Sequence, residues 1–326
     1  MIMQSSFWDY AQRYFPVINQ ELSAVIPREP KEAYGPIREL IESGGKRVRA
    51  VLCSLTCQSL GGKQENSLHY SVTLELLHNF TLIHDDIEDF SQQRRSKPTI
   101  HSKYGIPLAV NYGDVLFALA VKQTNKFNSA RARDIINDSM ITVGVGQAFD
   151  LTYRNTWDFT SDSYLDMVKK KTGALLGASC ALGAIAAGKE ECIDALYAYG
   201  METGTAFQIQ DDVLNLIGDE KEYGKEIAGD IFEKKKTLMT IYLLESASKE
   251  DKERFLQLWE KESMTQERAA EIIGLMKKYG AIDRATKLAI SLSESAKNRL
   301  DGMAFKDEKA AEALRYFADF VVTRKF

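Results

Sequence analysis

The feature that most constrains the fold is a helical hydrophobic periodicity that continues along nearly the whole chain. Apolar residues recur at three- and four-residue spacing between short breaks rich in Gly, Pro, Asn or Asp, without convincing strand alternation. Helix formers are abundant, whereas Gly and Pro are sparse, which is typical of an all-α protein. We therefore predict helices over 7–26, 33–43, 47–59, 66–90, 107–126, 131–150, 163–188, 191–216, 234–246, 250–260, 265–278, 281–300 and 307–323.

The totals exclude several classes of protein. No break is long and polar enough to divide the chain, so we predict a single domain over 1–326. The net charge of −4 offers no basic field for nucleic acid. The longest weakly polar run, LLGASCALGAIAAG, is too short and too rich in Ala and Gly to span a bilayer, and the N-terminus lacks a signal-peptide pattern. Four cysteines fit buried side chains in a reducing compartment, so we expect a cytoplasmic protein.

Two apolar helical segments end in paired aspartates. Asp85, Asp86 and Asp89 end the first, and Asp211 and Asp212 end the second. At 100° per residue, Asp85 and Asp89 project within about 40° of each other. A solvated acidic face is the simplest interpretation, since each like-charge pair costs a helix only about 0.2–0.5 kcal/mol.

A long basic break follows each acidic pair, and this repetition favours a binding site. Mg²⁺ is usually held by one or two carboxylates together with substrate phosphates. Arginine binds phosphate through two N–H groups, and lysine binds it as a point charge. The pattern therefore predicts a metal–diphosphate site rather than an acid–base pair.

The motifs resemble those of the trans-isoprenyl diphosphate synthase (polyprenyl synthetase) family. Five segments occur in the order of that family, namely GGKRVRA (44–50), DDIED (85–89) with Arg94-Arg95, KKKTGALLGAS, FQIQDDVLN and YGKEIAGDIFEKKKTL. The resemblance implies the isoprenoid synthase fold, a single-domain bundle of more than ten helices around a central apolar cavity. It also implies a Mg²⁺-dependent transfer of an allylic group to isopentenyl diphosphate, in a homodimer.

The resemblance implies a role for each matched residue. Asp85, Asp89 and Asp211 would coordinate Mg²⁺, three ions per site with Mn²⁺ as a substitute, and Asp86 and Asp212 would support them. The allylic diphosphate would be bound by Arg94, Lys171 and Lys225. Isopentenyl diphosphate would be bound by Lys46, Arg49, His78 and Arg95. The residues near the reacting carbons would be Thr172 and Gln208, beside Lys171. Lys235 would close over the site, because its spacing from Asp230 favours it over Lys234 and Lys236.

Some positions depart from the pattern of the family. Asn215 replaces the third acid of the second motif, Ser96 follows the arginine pair where Gly is usual, and Ala50 replaces a common Pro. None of these changes removes an acid of the first motif, so we expect an active enzyme.

The length of the product is a separate question. An aromatic residue five positions before the first aspartate, here Phe80, is associated in the family with geranylgeranyl diphosphate (C20) synthases. On an ideal helix Phe80 points about 140° away from Asp85, so helical geometry does not itself place it below the acids. We expect a C20 product, with farnesyl diphosphate (C15) as the alternative.

Three other interpretations remain open on the sequence. A terpene cyclase also uses an acidic motif with Mg²⁺, but it usually lacks the FQxQDD and GGKRxR segments. A non-catalytic synthase subunit would have lost acids of the first motif, which are present here. A helical scaffold with acidic surfaces is the third interpretation. Mg²⁺-dependent release of diphosphate would support a synthase over the scaffold, and release without isopentenyl diphosphate would favour the cyclase.

Overall fold

Helices make up most of the computed structural model, which describes residues 6–95, 97–218, 228–260 and 263–324. In chain order they are α1 (Phe7–Val25), α2 (Lys31–Glu42), α3 (Val48–Ser59), α4 (Gln64–Glu88), α5 (Ile100–Tyr104), α6 (Ile106–Thr124), α7 (Ala130–Tyr153), α8 (Ser161–Val168), α9 (Ala174–Ala186), α10 (Ile193–Ile217), α11 (Gly229–Phe232), α12 (Leu238–Ser246), α13 (Lys249–Trp259), α14 (Gln266–Lys278), α15 (Ala281–Asn298) and α16 (Glu308–Thr323). The all-α prediction is confirmed.

The differences from the predicted helices are local. The segment 163–188 is interrupted by a π-helical turn (Lys169–Gly173), and a 3₁₀ turn (Glu190–Cys192) precedes α10. The helix predicted from residue 234 begins at Leu238, because Lys234 has a positive φ of 54° and the N-cap residue Thr237 has an extended backbone. A short antiparallel hairpin, β1 (Gln93–Arg94) and β2 (Lys97–Pro98), lies where no strand was predicted.

The chain divides into two compact units, and the prediction of a single domain stays a prediction. Unit 1 comprises Met1–Met140, Ala178–Tyr197 and Gly302–Tyr316. In this unit α4 packs against α3 and α6. Helix α3 is buried around its whole circumference, since the consecutive residues Val51, Leu52 and Cys53 are all fully buried. The central part of α4, residues 70–77, is therefore fixed in the core, and its C-terminal end carries the first acids.

Unit 2 comprises Ile141–Gly177, Ala198–Asp301 and Phe317–Phe326. Its core includes Ile209, Val213 and Leu216, which form one apolar stripe of α10 at helical spacing. Helix α12 packs against α8 and α15 in the same unit. This packing fixes the part of α10 that carries the second acidic pair. Among the described residues, no helix combines the length and the apolar character needed to cross a bilayer.

Candidate functional site

The first acidic set, Asp85, Asp86 and Asp89, lies at the C-terminal end of α4. The backbone N–H of Ser91 donates to the carbonyl of Asp86 (3.0 Å), and Phe90 has a positive φ of 53°. This is the pattern of a Schellman helix end, which stops the helix at the third acid. The carboxylates therefore project from the last turn, where the helix dipole disfavours negative charge.

An arginine of the hairpin neutralises the most buried acid of this set. Nε of Arg94 donates to both carboxylate oxygens of Asp86 (2.8 and 3.0 Å), and Nη2 lies 2.7 Å from Oδ1. Burial raises the pKa of Asp86 above its usual value, although the hydrogen bonds and charge of Arg94 oppose this effect. Asp85 and Asp89 are only half-buried. The hairpin thus delivers a cation to the end of α4.

The Gly-rich loop before α3 forms a seat for the second arginine of the hairpin. Nη1 of Arg95 donates a short hydrogen bond to the carbonyl of Gly44. A Cβ on Gly45, whose φ is +143°, would lie 2.8 Å from Nη2 of Arg95, so a side chain at this position would displace the guanidinium. Lys46 is exposed directly after these glycines. The loop therefore brings Lys46 and Arg95 to one place.

The two arginines of the GGKRVR segment have different roles. Arg47 is 5% exposed and donates to Asn19 (3.1 Å), to the carbonyl of Ile41 (2.6 Å) and to Glu75 (3.5 Å). Arg47 thus anchors the loop. In contrast, Nε of Arg49 is buried without a hydrogen-bond partner among the described residues.

His78 completes a basic cluster, which we define as Arg47, Arg49, His78, Arg94 and Arg95. Burial is the main cause that lowers the pKa of His78 well below its usual value, and the four arginines lower it further. Burial also lowers the pKa of Arg49 to about 10, although Glu75 and Asp85 oppose this effect. The cluster holds a buried guanidinium nitrogen without a hydrogen-bond partner beside a neutral imidazole, which is the chemistry of an anion site.

The second acidic set, Asp211 and Asp212, lies near the C-terminal end of α10. Asp212 is 8% exposed, and neutral donors satisfy it. The hydroxyl of Tyr164 donates to Oδ2, and Nε2 of Gln208 donates to Oδ1 (2.9 Å). The hydroxyl of Thr172 in turn donates to Oε1 of Gln208 (3.0 Å). Thr172, Gln208 and Asp212 therefore form one hydrogen-bonded chain.

A close glycine contact holds the π-helical turn against α10. A Cβ on Gly204 would lie 2.9 Å from Cα of Gly173, so the two backbones approach where neither residue carries a side chain. π-Helical turns occur frequently at functional sites. In this chain the turn carries Lys171 and Thr172, two of the predicted site residues.

Lys171 is paired with an acid that the motifs did not indicate. Nζ of Lys171 lies 2.8 Å from Oδ2 of Asp150, and Nη2 of Arg154 lies 2.8 Å from the same oxygen. Burial alone would raise the pKa of Asp150, but the charges and hydrogen bonds of both cations outweigh it and lower the pKa to about 2. Asp150 therefore stays ionised and fixes the lysine.

Asn215, which occupies the position of the missing third acid, has a structural contact. Its side-chain oxygen accepts a hydrogen bond from the backbone N–H of Asp230 (3.0 Å), and its carbonyl accepts one from Ala228 (2.7 Å). Burial is the main cause that raises the pKa of Asp230, and the charge of Asp212 raises it further. The Asp230 carboxyl therefore lies within the electrostatic range of Asp212.

The three lysines before α12 differ in their surroundings. Nζ of Lys236 donates to the carbonyls of Tyr153, Arg154 and Thr156, and lies 4.2 Å from the ring of Trp157. Lys236 thus caps the C-terminal end of α7.

Nζ of the neighbouring Lys235 lies 2.6 Å from Oε2 of Glu233. The charge of Lys235 also acts to lower the pKa of Asp212 and of Asp230. This placement agrees with the choice of Lys235 over Lys236 as the phosphate ligand, which stays a prediction. The predicted ligand Lys225 lies outside the described residues.

Phe80 faces away from the acids. Its ring lies 5.1 Å from the ring of Phe117 on α6 and 4.7 Å from His84. This agrees with the helical geometry that places it about 140° from Asp85. Its effect on product length stays a prediction.

The donor chemistry of the acidic sets fits a hard divalent cation. Carboxylate oxygens are the preferred ligands of Mg²⁺, which is commonly held by one or two of them together with phosphate oxygens. Within residues 6–95, 97–218, 228–260 and 263–324, no three His, Cys, Asp or Glu side chains meet in a ready-made metal site.

Sequence reasoning did not assign a role in the site to several residues that act on it, among them Asp150, Tyr164 and Asp230. Asp150 and Tyr164 carry no local signal, because their partners Lys171 and Asp212 are distant in the chain. Asp230 lies within the GDI segment, which was the only signal that could have found it.

Comparisons with known proteins agree with this fold and these motifs. The family model described as polyprenyl synthetase matches residues 30–276. The chain is 34% identical to a geranylgeranyl diphosphate synthase of Sulfolobus acidocaldarius over 98% of this chain and 99% of that protein. It is 35% identical to a geranylfarnesyl diphosphate synthase of Aeropyrum pernix over 90% of this chain and 95% of that protein.

A solved structure gives the same picture. The crystal structure of geranylgeranyl pyrophosphate synthetase from Pyrococcus horikoshii has a TM-score of 0.91 at 35% identity, and 98% of each chain is covered. The chain belongs to the polyprenyl synthetase family, and it is therefore a prenyltransferase. Members of this family use isopentenyl and allylic diphosphates, and they bind diphosphate through a divalent metal.

Proposed function

We propose that the protein condenses isopentenyl diphosphate with an allylic diphosphate, in the presence of Mg²⁺, to give all-trans geranylgeranyl diphosphate. The class of reaction follows from the family, and the C20 product is supported by the relatives from Sulfolobus acidocaldarius and Pyrococcus horikoshii. The similarity to a geranylfarnesyl diphosphate synthase makes a C25 product the outcome that product analysis must exclude.

The observation that carries the proposal is the environment of Arg49. A buried guanidinium nitrogen without a partner is costly unless a ligand satisfies it. The neighbouring His78 is neutral, and Arg47 is occupied by Asn19 and Ile41. We assign isopentenyl diphosphate to this place, with Lys46, Arg49, His78 and Arg95 as its ligands.

The remaining cations and acids would act on the allylic diphosphate. Arg94, Lys171 and Lys225 would stabilise the negative charge that develops on the diphosphate as the allylic C–O bond breaks. Mg²⁺ bound by Asp85, Asp89 and Asp211, with Asp86 and Asp212 in support, would supply further charge stabilisation.

The hydrogen bond between Thr172 and Gln208 would orient both groups near the reacting carbons. The double bond of isopentenyl diphosphate then attacks the allylic cation, and the released diphosphate accepts the proton that is lost. Lys235 would contact the diphosphate when the site closes.

We further propose a cytoplasmic homodimer. The support for the homodimer is an apolar stripe of α6, in which Ile106, Val110, Phe117 and Val121 are 48%, 40%, 38% and 45% exposed. Residues at this spacing lie on one face of a helix. A second copy of the chain would cover this face, and sedimentation analysis tests it.

The test is diphosphate release with Mg²⁺, isopentenyl diphosphate and each C5–C15 allylic diphosphate, followed by chromatography of the dephosphorylated products. Absence of release with every allylic substrate would overturn the proposal. Release without isopentenyl diphosphate would instead indicate a cyclase.

A variant sharpens the assignment of the basic cluster. We expect Arg49→Gln to raise the KM for isopentenyl diphosphate about 10-fold or more and to leave the KM for the allylic diphosphate unchanged, since a charge-assisted contact contributes about 1.5–3 kcal/mol. Arg38→Gln, on α2, is the matched control. Equal changes in both KM values would refute the assignment.

A further inference from the structure

An arginine near the C-terminus reaches the second acidic set. Arg324 follows the last residue of α16, and its Nη2 lies 3.0 Å from Oδ1 of Asp211. The same nitrogen donates to the carbonyl of Phe207 (3.2 Å), one turn earlier on α10. One guanidinium group therefore binds two residues of the FQIQDD segment.

The surroundings of Arg324 hold its side chain in place. The guanidinium lies 3.9 Å from the ring centre of Phe207, and the side chain is only 5% exposed. Its Nε is buried without a hydrogen-bond partner among the described residues. Burial of a guanidinium is unfavourable unless it is compensated, and here the carboxylate of Asp211 provides an opposite charge.

A second arginine that binds an acid of α10 has a much more exposed side chain than Arg324. Arg299 also binds an acid of α10, since its Nη2 lies 2.7 Å from Oε1 of Glu202, but the Arg299 side chain is 49% exposed. Solvent screens such an exposed pair, and its effect on a neighbouring cation is small. The pair of Arg324 with Asp211 is shielded from solvent on the arginine side, so its charge acts at close range.

We propose that Arg324 is a positioning residue that serves as the internal counter-ion of Asp211. It holds this carboxylate partly neutralised while no diphosphate is bound, so that a divalent cation is taken up at Asp211 only together with a diphosphate. The proposal rests on the proposed function, because it takes Asp211 as a metal ligand.

The physical reason is competition between two cations for one carboxylate. The guanidinium of Arg324 lies 3.0 Å from Oδ1 of Asp211, and its positive charge repels a divalent cation that approaches the same carboxylate. The phosphate charges of a bound diphosphate outweigh this opposition. The substrate-free protein is thus expected to bind metal weakly at the second set.

The experiment measures free Mn²⁺ by electron paramagnetic resonance in titrations of the full-length protein, with and without inorganic diphosphate. We expect Arg324→Gln to bind Mn²⁺ about tenfold more tightly than the wild type without diphosphate. The difference should become smaller when diphosphate is present. Arg324→Lys, which keeps the charge, should resemble the wild type, as should Arg299→Gln.

Thermal unfolding confirms that each variant is folded. If Arg324→Gln is unstable, Arg324→Met, which also removes the charge, takes its place and should show the same tighter Mn²⁺ binding. In the Asp211→Asn background, the substitution at Arg324 should no longer change Mn²⁺ binding. Equal Mn²⁺ affinity in the wild type and in Arg324→Gln, or weaker binding in the variant, would overturn the inference.

The experiment distinguishes a failure of the counter-ion role from a failure of the proposed function. If the wild type produces prenyl diphosphates and binds Mn²⁺ with diphosphate, an unchanged Arg324→Gln variant refutes only the counter-ion role. If the wild type neither binds Mn²⁺ with diphosphate nor forms product, the proposed function fails instead.

Discussion

Each acidic set contains one buried aspartate, and different kinds of side chain stabilise the two aspartates. In the first set, the buried Asp86 is neutralised by a cation, Arg94. In the second, the buried Asp212 is satisfied by the neutral donors Tyr164 and Gln208. The basic partner of the second site, Lys171, is instead held by an acid outside the motif, Asp150.

The two sets therefore differ in whether one cation both stabilises a buried aspartate and binds the allylic diphosphate. Arg94 both stabilises Asp86 and, in the proposed mechanism, binds the allylic diphosphate, so substrate binding and the local fold are coupled there. At the second set, Asp150 orients Lys171 without using Asp212. The second aspartate pair therefore depends less on the phosphate-binding cation for its geometry.

The largest expected effect distinguishes ligand acids from supporting acids. Asp85→Asn or Asp211→Asn should lower kcat about 10³-fold, because loss of a metal ligand removes several kcal/mol of charge stabilisation. Asp86→Asn and Asp212→Asn should cost about 10-fold, because these carboxylates act through their neighbours.

Steady-state rates at saturating Mg²⁺ provide the measurement, with the exposed Asp194→Asn on α10 as the control. If the supporting acids prove as costly as the ligand acids, the division within each pair is wrong.

The next effect concerns stability at the second set. A carboxylate whose pKa is lower in the folded than in the unfolded state stabilises the fold at pH values above its ordinary pKa. This stabilisation is lost as the pH falls through the lowered pKa of the folded state. The pKa of Asp150 falls from 3.8 to about 2, so Asp150→Asn should reduce the free energy of unfolding by about 2 kcal/mol at pH 7.

Urea unfolding at pH 7, 5 and 3 checks this. The gap between wild type and variant should be constant at pH 7 and 5 and smaller at pH 3, since the wild type loses its advantage there. A gap that widens towards low pH would contradict the pairing of Asp150 with its two cations.

A smaller effect is expected on the free energy of unfolding when the partner of either buried aspartate is replaced. Arg94→Gln should destabilise the fold by about 1–2 kcal/mol, because it leaves Asp86 without its cation while the 30% exposure of Arg94 limits the cost. Tyr164→Phe should cost about 1 kcal/mol, the value of one neutral hydrogen bond.

Urea unfolding of Arg94→Gln in the Asp86→Asn background, and of Tyr164→Phe in the Asp212→Asn background, gives the coupling energies. The coupling should be larger for the first pair. Equal couplings would show that the cationic and the neutral solutions are energetically equivalent.

The sequence predicted the features that are local in the chain. The helical periodicity gave the all-α fold, and the paired aspartates lie at the ends of α4 and α10 as the patterns indicated. Pairings between distant residues could not be predicted, because no local pattern encodes them. Asp150 lies 21 residues from Lys171, and Arg324 lies 113 residues from Asp211. The π-helical turn at Lys171 depends on the glycine contact with α10, which is also a tertiary feature.

The aromatic residues before the two acidic pairs offer the last and smallest test. Phe207, before Asp211, lies under Arg324, whereas Phe80, before Asp85, packs on Phe117 and His84. Phe80 therefore limits the product only if the growing chain passes between α4 and α6 in unit 1. We expect Phe80→Ala to shift part of the product beyond C20, because it removes the ring that fills this place.

Phe117→Ala should give a smaller shift in the same direction, because it removes the support of the Phe80 ring and leaves the ring itself. The double variant should give the same products as Phe80→Ala alone, since Phe117 would act on product length through the Phe80 ring. Sedimentation analysis of Phe117→Ala separates this effect from a loss of the proposed dimer contact. Chromatography of the dephosphorylated products measures the distribution, with Phe305→Ala as a control for an aromatic residue away from α4. An unchanged distribution in Phe80→Ala would show that the chain ends elsewhere and that the aromatic residue of α4 serves only to pack α6.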